Sequence, residues 1–145
     1  MEELLKNLNQ FLCDLEVMNV KLQNYHWNVQ GKGFFITHEK LEEYYDEIRE
    51  QIDEIAEHIL SLGYQPLGTM QDFIKNSEIQ EAKNERIKSL PIIKIVTEDL
   101  RTLRNKASQI KELSDEQKDY ATSALMDNYL ANYSKKIWML NETIK

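Results

Sequence analysis

Apolar residues recur at alternating spacings of three and four along four long stretches of the chain, the period of an amphipathic α-helix. The first two stretches carry the stripes Leu4, Leu8, Phe11, Leu15, Met18, Leu22 and Tyr25, and Leu41, Tyr45, Ile48, Ile52, Ile55, Ile59 and Leu62. The last two carry Ile93, Val96, Leu100, Leu103, Ala107 and Ile110, and Met126, Leu130, Tyr133, Ile137, Leu140 and Ile144. Only four glycines and two prolines interrupt this spacing, so the pattern predicts an all-α protein.

Local signals predict where the first two long helices end. A connection over residues 28–36 follows the first helix, because it contains two of the glycines. Thr37 is the predicted N-cap of the second helix, and Gly63 is its predicted C-cap. Beyond Gly63 we expect a short helix over residues 69–76 and connecting structure over residues 77–88.

The last two long helices have their own boundary signals. Ser89 and Pro91 predict the start of the third helix, which we expect to end near Glu112. Ser114 and Gln117 form a capping-box pattern, so the fourth helix is predicted to begin there and to continue nearly to the C-terminus. Four long helices, with a short helix in the connection between the second and third, describe a four-helix bundle.

Composition narrows the class of function. At 145 residues the chain is long enough for one domain with a real core, and we expect a single domain over residues 1–145. The net charge of −7 repels nucleic-acid phosphates, so direct DNA binding is disfavoured. We find no signal-sequence pattern and no run approaching the roughly 20 apolar residues of a membrane span. Cys13 is the only cysteine and can form no internal disulfide, so a cytoplasmic protein is expected.

Four metal-capable side chains lie on the predicted second helix with a mirror-symmetric spacing of four, eleven and four residues. They are His38, Glu42, Asp53 and Glu57. All four fall within a sector of roughly 100° of the helix, yet the outer two lie about 28 Å apart along its axis. One helix therefore cannot close a metal site with them. The position numbers of the outer pair sum to 95, and so do those of the inner pair.

An antiparallel pair of these helices about a two-fold axis brings the two halves of the pattern together. His38 then faces Glu57 of the partner subunit, and the two inner carboxylates face each other in the same way. The same rule pairs Asp46 with Arg49 of the partner subunit, so opposite charges meet near the axis. The spacing predicts two identical metal sites per dimer, each built from both chains.

The types of donor atom indicate which metals fit. Imidazole and carboxylate groups without a thiolate suit Fe(II), Mn(II) or Zn(II), and the majority of carboxylates favours iron or manganese. His26 adds a second imidazole if the glycine-containing connection folds back, whereas His58 points about 100° away from Glu57 and is the weakest candidate. The chain lacks the Glu-x-x-His motif of bundles that hold two irons in one chain, which favours an intersubunit site. A solvated acidic helix face shows the same i, i+4 spacing, and that alternative stays open.

The signature of the Dps family, the mini-ferritins, resembles a series of residues in this chain. They are His26-Trp27, Gly31, Phe34-Phe35, His38-Glu39, Tyr45 or Tyr44, and Asp53-Glu54-Ile55-Ala56-Glu57. The resemblance covers the whole chain in length and in helix order. It implies a ferritin-like four-helix bundle with a short extra helix between the second and third helices, assembled through two-fold dimers into a dodecameric shell.

The resemblance also implies an activity, which is oxidation of Fe(II) by hydrogen peroxide or O2, preferably by hydrogen peroxide, and storage of the ferric product inside the shell. Five ferroxidase ligands are expected to bind two iron ions between two subunits. They are His26, His38 and Glu42 of one subunit and Asp53 and Glu57 of its two-fold neighbour. Two positions differ from the usual family pattern, because Glu42 replaces an aspartate and His58 replaces an arginine.

Three acids lie at the predicted start of the fourth helix: Asp115, Glu116 and Asp119. They resemble the acids that line the family's three-fold pore, through which iron enters. Acids at a helix N-terminus also interact favourably with the helix dipole, so both interpretations stay open.

Three functions remain as hypotheses. The first is a ferroxidase and iron store, which requires the five ligands to meet across a dimer. The second is a DNA-protecting Dps protein that acts mainly by binding, and the acidic composition disfavours it. The third is a metal-free helical scaffold that uses the same acidic seam for assembly and neither oxidises nor stores iron.

Overall fold

Five helices and two very short strands make up the fold in the computed structural model, which describes all of residues 1–145. In chain order they are α1 (Glu2–Asn28), β1 (Val29–Gln30), α2 (Phe34–Ser61), α3 (Met70–Asn76), β2 (Ile87–Lys88), α4 (Ser89–Glu116) and α5 (Tyr120–Ile144). The four long helices are those that the hydrophobic spacing predicts, and α3 is the predicted short helix. The prediction of an all-α four-helix bundle is confirmed.

The apolar stripes of the long helices face one another and form one core. α1 packs against α2 and α4, and α4 packs against α5. Phe11, Ile55, Leu103 and Tyr133, one from each long helix, are completely or almost completely buried. Burial of this apolar surface is the main force that holds the helices together. No helix combines the length and apolar composition that crossing a membrane requires.

The two strands join the end of α1 to the start of α4. β1 and β2 pair in parallel, with Val29 opposite Ile87. Beside them, Nε of Arg86 donates to the carbonyl oxygen of Asn28 at 3.1 Å. Two-residue strands have no hydrophobic period, so the sequence pattern did not predict them. The pairing anchors the chain between α1 and α2.

The start of α2 corrects the predicted N-cap at Thr37. The helix begins at Phe34, and Thr37 is buried within its first turns. Gly33 adopts a left-handed conformation with φ 80°, which turns the chain directly into the helix. The Phe34 ring then stacks on the His38 ring, with centroids 4.9 Å apart. This i, i+4 contact outweighs the capping preference of the threonine.

The boundary between α4 and α5 corrects the predicted capping box. Ser114 is fully buried inside α4, and its hydroxyl donates to the carbonyl oxygen four residues back at 2.6 Å. α4 therefore continues to Glu116 instead of ending near Glu112. Lys118 then reverses the chain with φ 60°, and Asp119 caps α5 by accepting a backbone N–H at 3.2 Å.

The predicted end of α2 at Gly63 is confirmed, although Leu62 is the C-cap and Gly63 is the residue that follows it. Gly63 has φ 91°, and its N–H donates to the carbonyl oxygen of Leu60 at 2.9 Å. The next N–H, that of Tyr64, donates to the carbonyl oxygen of Ile59 at 3.2 Å. These two bonds form a Schellman motif, which satisfies the last carbonyl groups of α2.

A buried carboxyl group ties the connection between α3 and α4 to α1. Asp14 is fully buried, and its Oδ1 accepts the N–H of Glu78 at 2.7 Å and the hydroxyl of Ser77 at 3.0 Å. Its Oδ2 has no hydrogen-bond partner. Burial raises the pKa of Asp14 to about 6, although the two hydrogen bonds and the nearby charge of Lys106 partly offset this effect.

Candidate metal centre

Two histidines face each other where α1 gives way to α2. Nδ1 of His26 lies 2.6 Å from the carbonyl oxygen of His38, and Nδ1 of His38 lies 2.7 Å from the carbonyl oxygen of His26. A carbonyl oxygen can only accept, so each Nδ1 carries the proton and donates it. In the neutral rings both Nε2 atoms are left with a free lone pair. Metal-binding histidines are typically oriented by this kind of bond.

Aromatic contacts hold the two imidazole rings in place. The rings of His26 and His38 stack with centroids 3.7 Å apart and planes 10° apart. Phe34 stacks on the outer side of His38, and Tyr45 presents an edge to His26 at a centroid distance of 5.4 Å. His26 is only 7% exposed. The geometry of both Nε2 atoms is therefore set before any metal ion binds.

Glu42 lies next to this pair on α2. Its Oε1 is 3.7 Å from Nε2 of His26 and 3.3 Å from the hydroxyl of Tyr45. The Glu42 side chain is 56% exposed, so the imidazole and carboxylate donors meet at the surface of the subunit. One chain thus stacks His26 on His38 and places Glu42 beside His26.

The ring of Tyr45 contacts Arg49 as well as His26. The guanidinium carbon of Arg49 lies 4.4 Å from the centre of its ring. Arg49 in turn donates from Nε to Oδ1 of Asn19 at 3.0 Å and from Nη2 to Oε1 of Gln23 at 2.5 Å. Burial and the neighbouring Glu42 charge raise the pKa of Tyr45, so its hydroxyl keeps the proton that it donates.

The other two predicted ligands lie farther along α2. Asp53 and Glu57 are exposed, and Asp53 is about 22 Å from His38 along the helix axis. No three histidine, cysteine, aspartate or glutamate side chains of one chain are arranged to hold a metal ion. The single chain therefore presents three of the five predicted ligands near the start of α2 and the other two towards its end.

His58 points towards α5 instead of joining these carboxylates. Its Nε2 lies 2.7 Å from the hydroxyl oxygen of Thr122, and that hydroxyl donates to Oδ2 of Asp119 at 2.5 Å. Nε2 must therefore donate to the threonine oxygen, because the threonine proton is already used. His58 connects α2 to the N-cap of α5 and has a structural role there.

The three acids near the fourth helix are divided between two helices. Asp115 and Glu116 belong to the last turn of α4, and only Asp119 stands at the start of α5. Asp115 accepts a hydrogen bond from the hydroxyl of Ser123 at 2.5 Å. A favourable interaction with the N-terminal helix dipole is thus open to Asp119 but not to the other two.

The sequence pattern does not show the roles of two residues in this region. Tyr45 belongs to the apolar stripe of α2, which conceals its polar end, although its spacing of three from Glu42 is a usable signal. Arg49 was expected to pair with Asp46 of the partner subunit. Within its own chain it lies 4.0 Å from Asp46 and is bound mainly to α1.

A groove of about 600 Å³ opens on another face of α2. Tyr44, Ile92 and Met139 are among its lining residues, and no carboxylate or imidazole lines it. It offers no metal ligands and is separate from the histidine pair.

Comparison with known proteins identifies the fold family. A model of the ferritin-like domain matches residues 5–145. The DNA protection during starvation protein of Helicobacter pylori strain J99 is 34% identical, covering 95% of this chain and 94% of that protein. The protein of the same name from Listeria monocytogenes serovar 1/2a is also 34% identical, covering 91% of this chain and 85% of that protein.

Solved structures agree with this assignment. Antigen TpF1 from Treponema pallidum superposes with a TM-score of 0.97 at 35% identity, covering 99% of this chain and 92% of that one. A Dps protein from Vibrio cholerae O1 superposes with a TM-score of 0.96 at 35% identity, covering 99% and 90%. The latter is described as a member of a broad superfamily of ferritin-like diiron-carboxylate proteins. The prediction of a ferritin-like bundle with a short extra helix is confirmed.

Proposed function

This chain belongs to the Dps proteins of the ferritin-like family, and from that premise we propose that it oxidises Fe(II) at intersubunit sites and stores the ferric product. The proposed assembly is a dodecameric shell built from two-fold dimers. Each site holds two iron ions as substrates, bound by His26, His38 and Glu42 of one subunit and by Asp53 and Glu57 of its neighbour.

The observation that carries this proposal is the reciprocal bonding of the two histidines. Nδ1 of each ring is occupied by a backbone carbonyl group, so both rings keep Nε2 for a metal ion. Glu42 adds a carboxylate 3.7 Å from Nε2 of His26. This half-site has too few donors for two metal ions, and an antiparallel partner helix brings Asp53 and Glu57 to it by the mirror spacing.

The proposed donors suit the proposed reaction. Imidazole nitrogen binds Fe(II) well, and carboxylates stabilise the additional charge of Fe(III), which favours the oxidised product. Each Fe(II) ion gives up one electron, so a pair supplies the electrons that break the O–O bond of hydrogen peroxide. The two oxygen atoms take up protons and leave as water. A paired site thereby avoids release of a hydroxyl radical.

Direct DNA binding is the second candidate, because relatives carry names that refer to DNA protection. The formal net charge of −7 opposes contact with phosphates. We therefore propose that any protection of DNA follows from removal of Fe(II) and peroxide.

Complementation between two inactive variants tests the intersubunit site. His38→Ala and Asp53→Ala should each lose rapid peroxide-dependent iron oxidation, measured as ferric absorbance after anaerobic Fe(II) loading. When the two variants are unfolded together and reassembled in equal amounts, half of the dimers are mixed, and each mixed dimer contains one intact site. Random pairing should therefore restore about one quarter of the wild-type sites.

Glu112→Gln is the matched control, because Glu112 is an exposed carboxylate on α4, a helix that carries none of the proposed ligands. It should oxidise iron like the wild type, and size-exclusion chromatography should show that all variants assemble. Rapid oxidation by either single variant, or no recovery in the mixture, would contradict the proposed site.

A further inference from the structure

Glu42 is the exposed member of the half-site, and an unrestrained glutamate on a helix surface occupies several rotamers. Binding a metal ion fixes one rotamer, so the side chain loses conformational entropy on binding. His26 does not hold the carboxylate in the observed position, because its Nε2 lies 3.7 Å from Oε1 of Glu42, beyond hydrogen-bond distance.

The hydroxyl of Tyr45 is the hydrogen-bond donor that contacts the Glu42 carboxylate. It donates to Oε1 of Glu42 at 3.3 Å, the same oxygen that faces His26. Tyr45 is 9% exposed, and its ring meets the edge of the His26 ring at an angle of 84°. The hydroxyl therefore reaches the carboxylate from a ring that has little freedom to move.

Arg49 restricts the Tyr45 ring further. Its guanidinium group lies over the ring, and its two hydrogen bonds to Asn19 and Gln23 attach it to α1. An arginine held in this way is a rigid support for an aromatic ring. A continuous series of contacts thus leads from α1 through Arg49 and Tyr45 to Glu42.

We propose that Tyr45 is a positioning residue, whose hydroxyl holds the Glu42 carboxylate beside Nε2 of His26 before the metal ion binds. This inference rests on the proposed metal site. Tyr45 itself does not contact the metal ion and acts through Glu42. Loss of the hydroxyl should weaken metal binding while the ring, and with it the packing of the half-site, remains.

Titration of the assembled, metal-free protein with Co(II) tests this role without any iron oxidation. Visible absorption of bound Co(II) reports both occupancy and coordination geometry. Tyr45→Phe should weaken Co(II) binding by about threefold to tenfold, the range expected for loss of one hydrogen bond of ordinary strength, because the bond is 3.3 Å long and the carboxylate is exposed. Its absorption band should also change shape, because Glu42 is no longer held in one orientation.

Tyr44→Phe is the matched control, since Tyr44 is one residue away and its hydroxyl makes no hydrogen bond to the half-site. It should bind Co(II) like the wild type. The decisive comparison adds Tyr45→Phe to Glu42→Ala. If Tyr45 acts through Glu42, the second substitution should have almost no further effect on affinity or spectrum.

The outcomes separate this inference from the function on which it rests. A wild-type protein that fails to bind Co(II) would overturn the proposed metal site. Normal Co(II) binding by Tyr45→Phe would overturn the positioning role and leave the site intact. Tyr45→Phe could also weaken Co(II) binding as much in the Glu42→Ala protein as in the wild type. That result would overturn the positioning role, because Tyr45 would then not act through Glu42.

Discussion

Replacing Asp14 with asparagine separates the charge of this buried group from its hydrogen bonds. The amide oxygen can accept the N–H of Glu78 and the hydroxyl of Ser77 as Oδ1 does now. The amide nitrogen takes the place of Oδ2, which has no hydrogen-bond partner. The variant keeps the shape of the contact but cannot ionise.

The expected effect on stability depends on pH. The pKa of Asp14 is raised by burial from 3.8 to about 6, so the folded protein holds this proton more tightly than the unfolded chain does. At pH values below both pKa values the group is protonated in both states and causes no loss. As the pH rises, the unfolded chain releases its proton first, and the wild type loses stability until the pH passes about 6. The shift corresponds to about 3 kcal/mol.

Guanidinium unfolding of both proteins, followed by circular dichroism at one protein concentration, measures this difference. The free energy of unfolding of Asp14→Asn minus that of the wild type should rise by about 3 kcal/mol between pH 3.5 and pH 7. Any loss caused by the buried amide nitrogen is independent of pH and cancels in this change. Glu50→Gln, an exposed control on α2, should show a much smaller change. A constant difference across the range would refute the reasoning.

Two further predictions concern residues outside the histidine pair. His58→Leu should lower the free energy of unfolding by about 0.5–1.5 kcal/mol, because it removes the hydrogen bond to Thr122. Iron oxidation by the assembled variant should be unchanged, and its loss would place His58 in the metal site. In a gel-shift assay at low salt, with and without magnesium, the protein should leave duplex DNA unretarded because of its net charge of −7. Retardation of the DNA that disappears as salt is added would contradict this prediction and support direct DNA binding as a function.

The long helices could be predicted because burial of an apolar stripe imposes its period on the sequence. Two helix ends were predicted wrongly. At both of them the prediction assumed that a hydroxyl side chain caps the helix, whereas the hydroxyl lies inside it. A capping hydroxyl stabilises a helix by about 1 kcal/mol, which other contacts can outweigh. At Thr37 the stacking of Phe34 on His38 extends the helix backwards. At Ser114 the hydroxyl bonds to its own helix and continues it.

The candidate site was partly predictable for a similar reason. The spacing of His38 and Glu42 follows from helix geometry, which the sequence specifies. The pairing of His26 with His38 depends on how residues 29–33 fold, and no period describes that connection. The role of the Tyr45 hydroxyl could not be predicted, because the hydrophobic spacing accounts for the buried ring alone. The same residue packs its ring in the core and donates its hydroxyl to Glu42.

The proposed division of the ligands between subunits has a chemical consequence. One chain offers two imidazoles and one exposed carboxylate, which are too few donors to hold a pair of Fe(II) ions. A single ion can pass only one electron to hydrogen peroxide, which produces a hydroxyl radical. When Asp53 and Glu57 must come from the partner subunit, the site becomes complete only in the dimer. The proposed arrangement therefore restricts oxidation to the assembled form, where two ions react together and the product forms next to the shell interior.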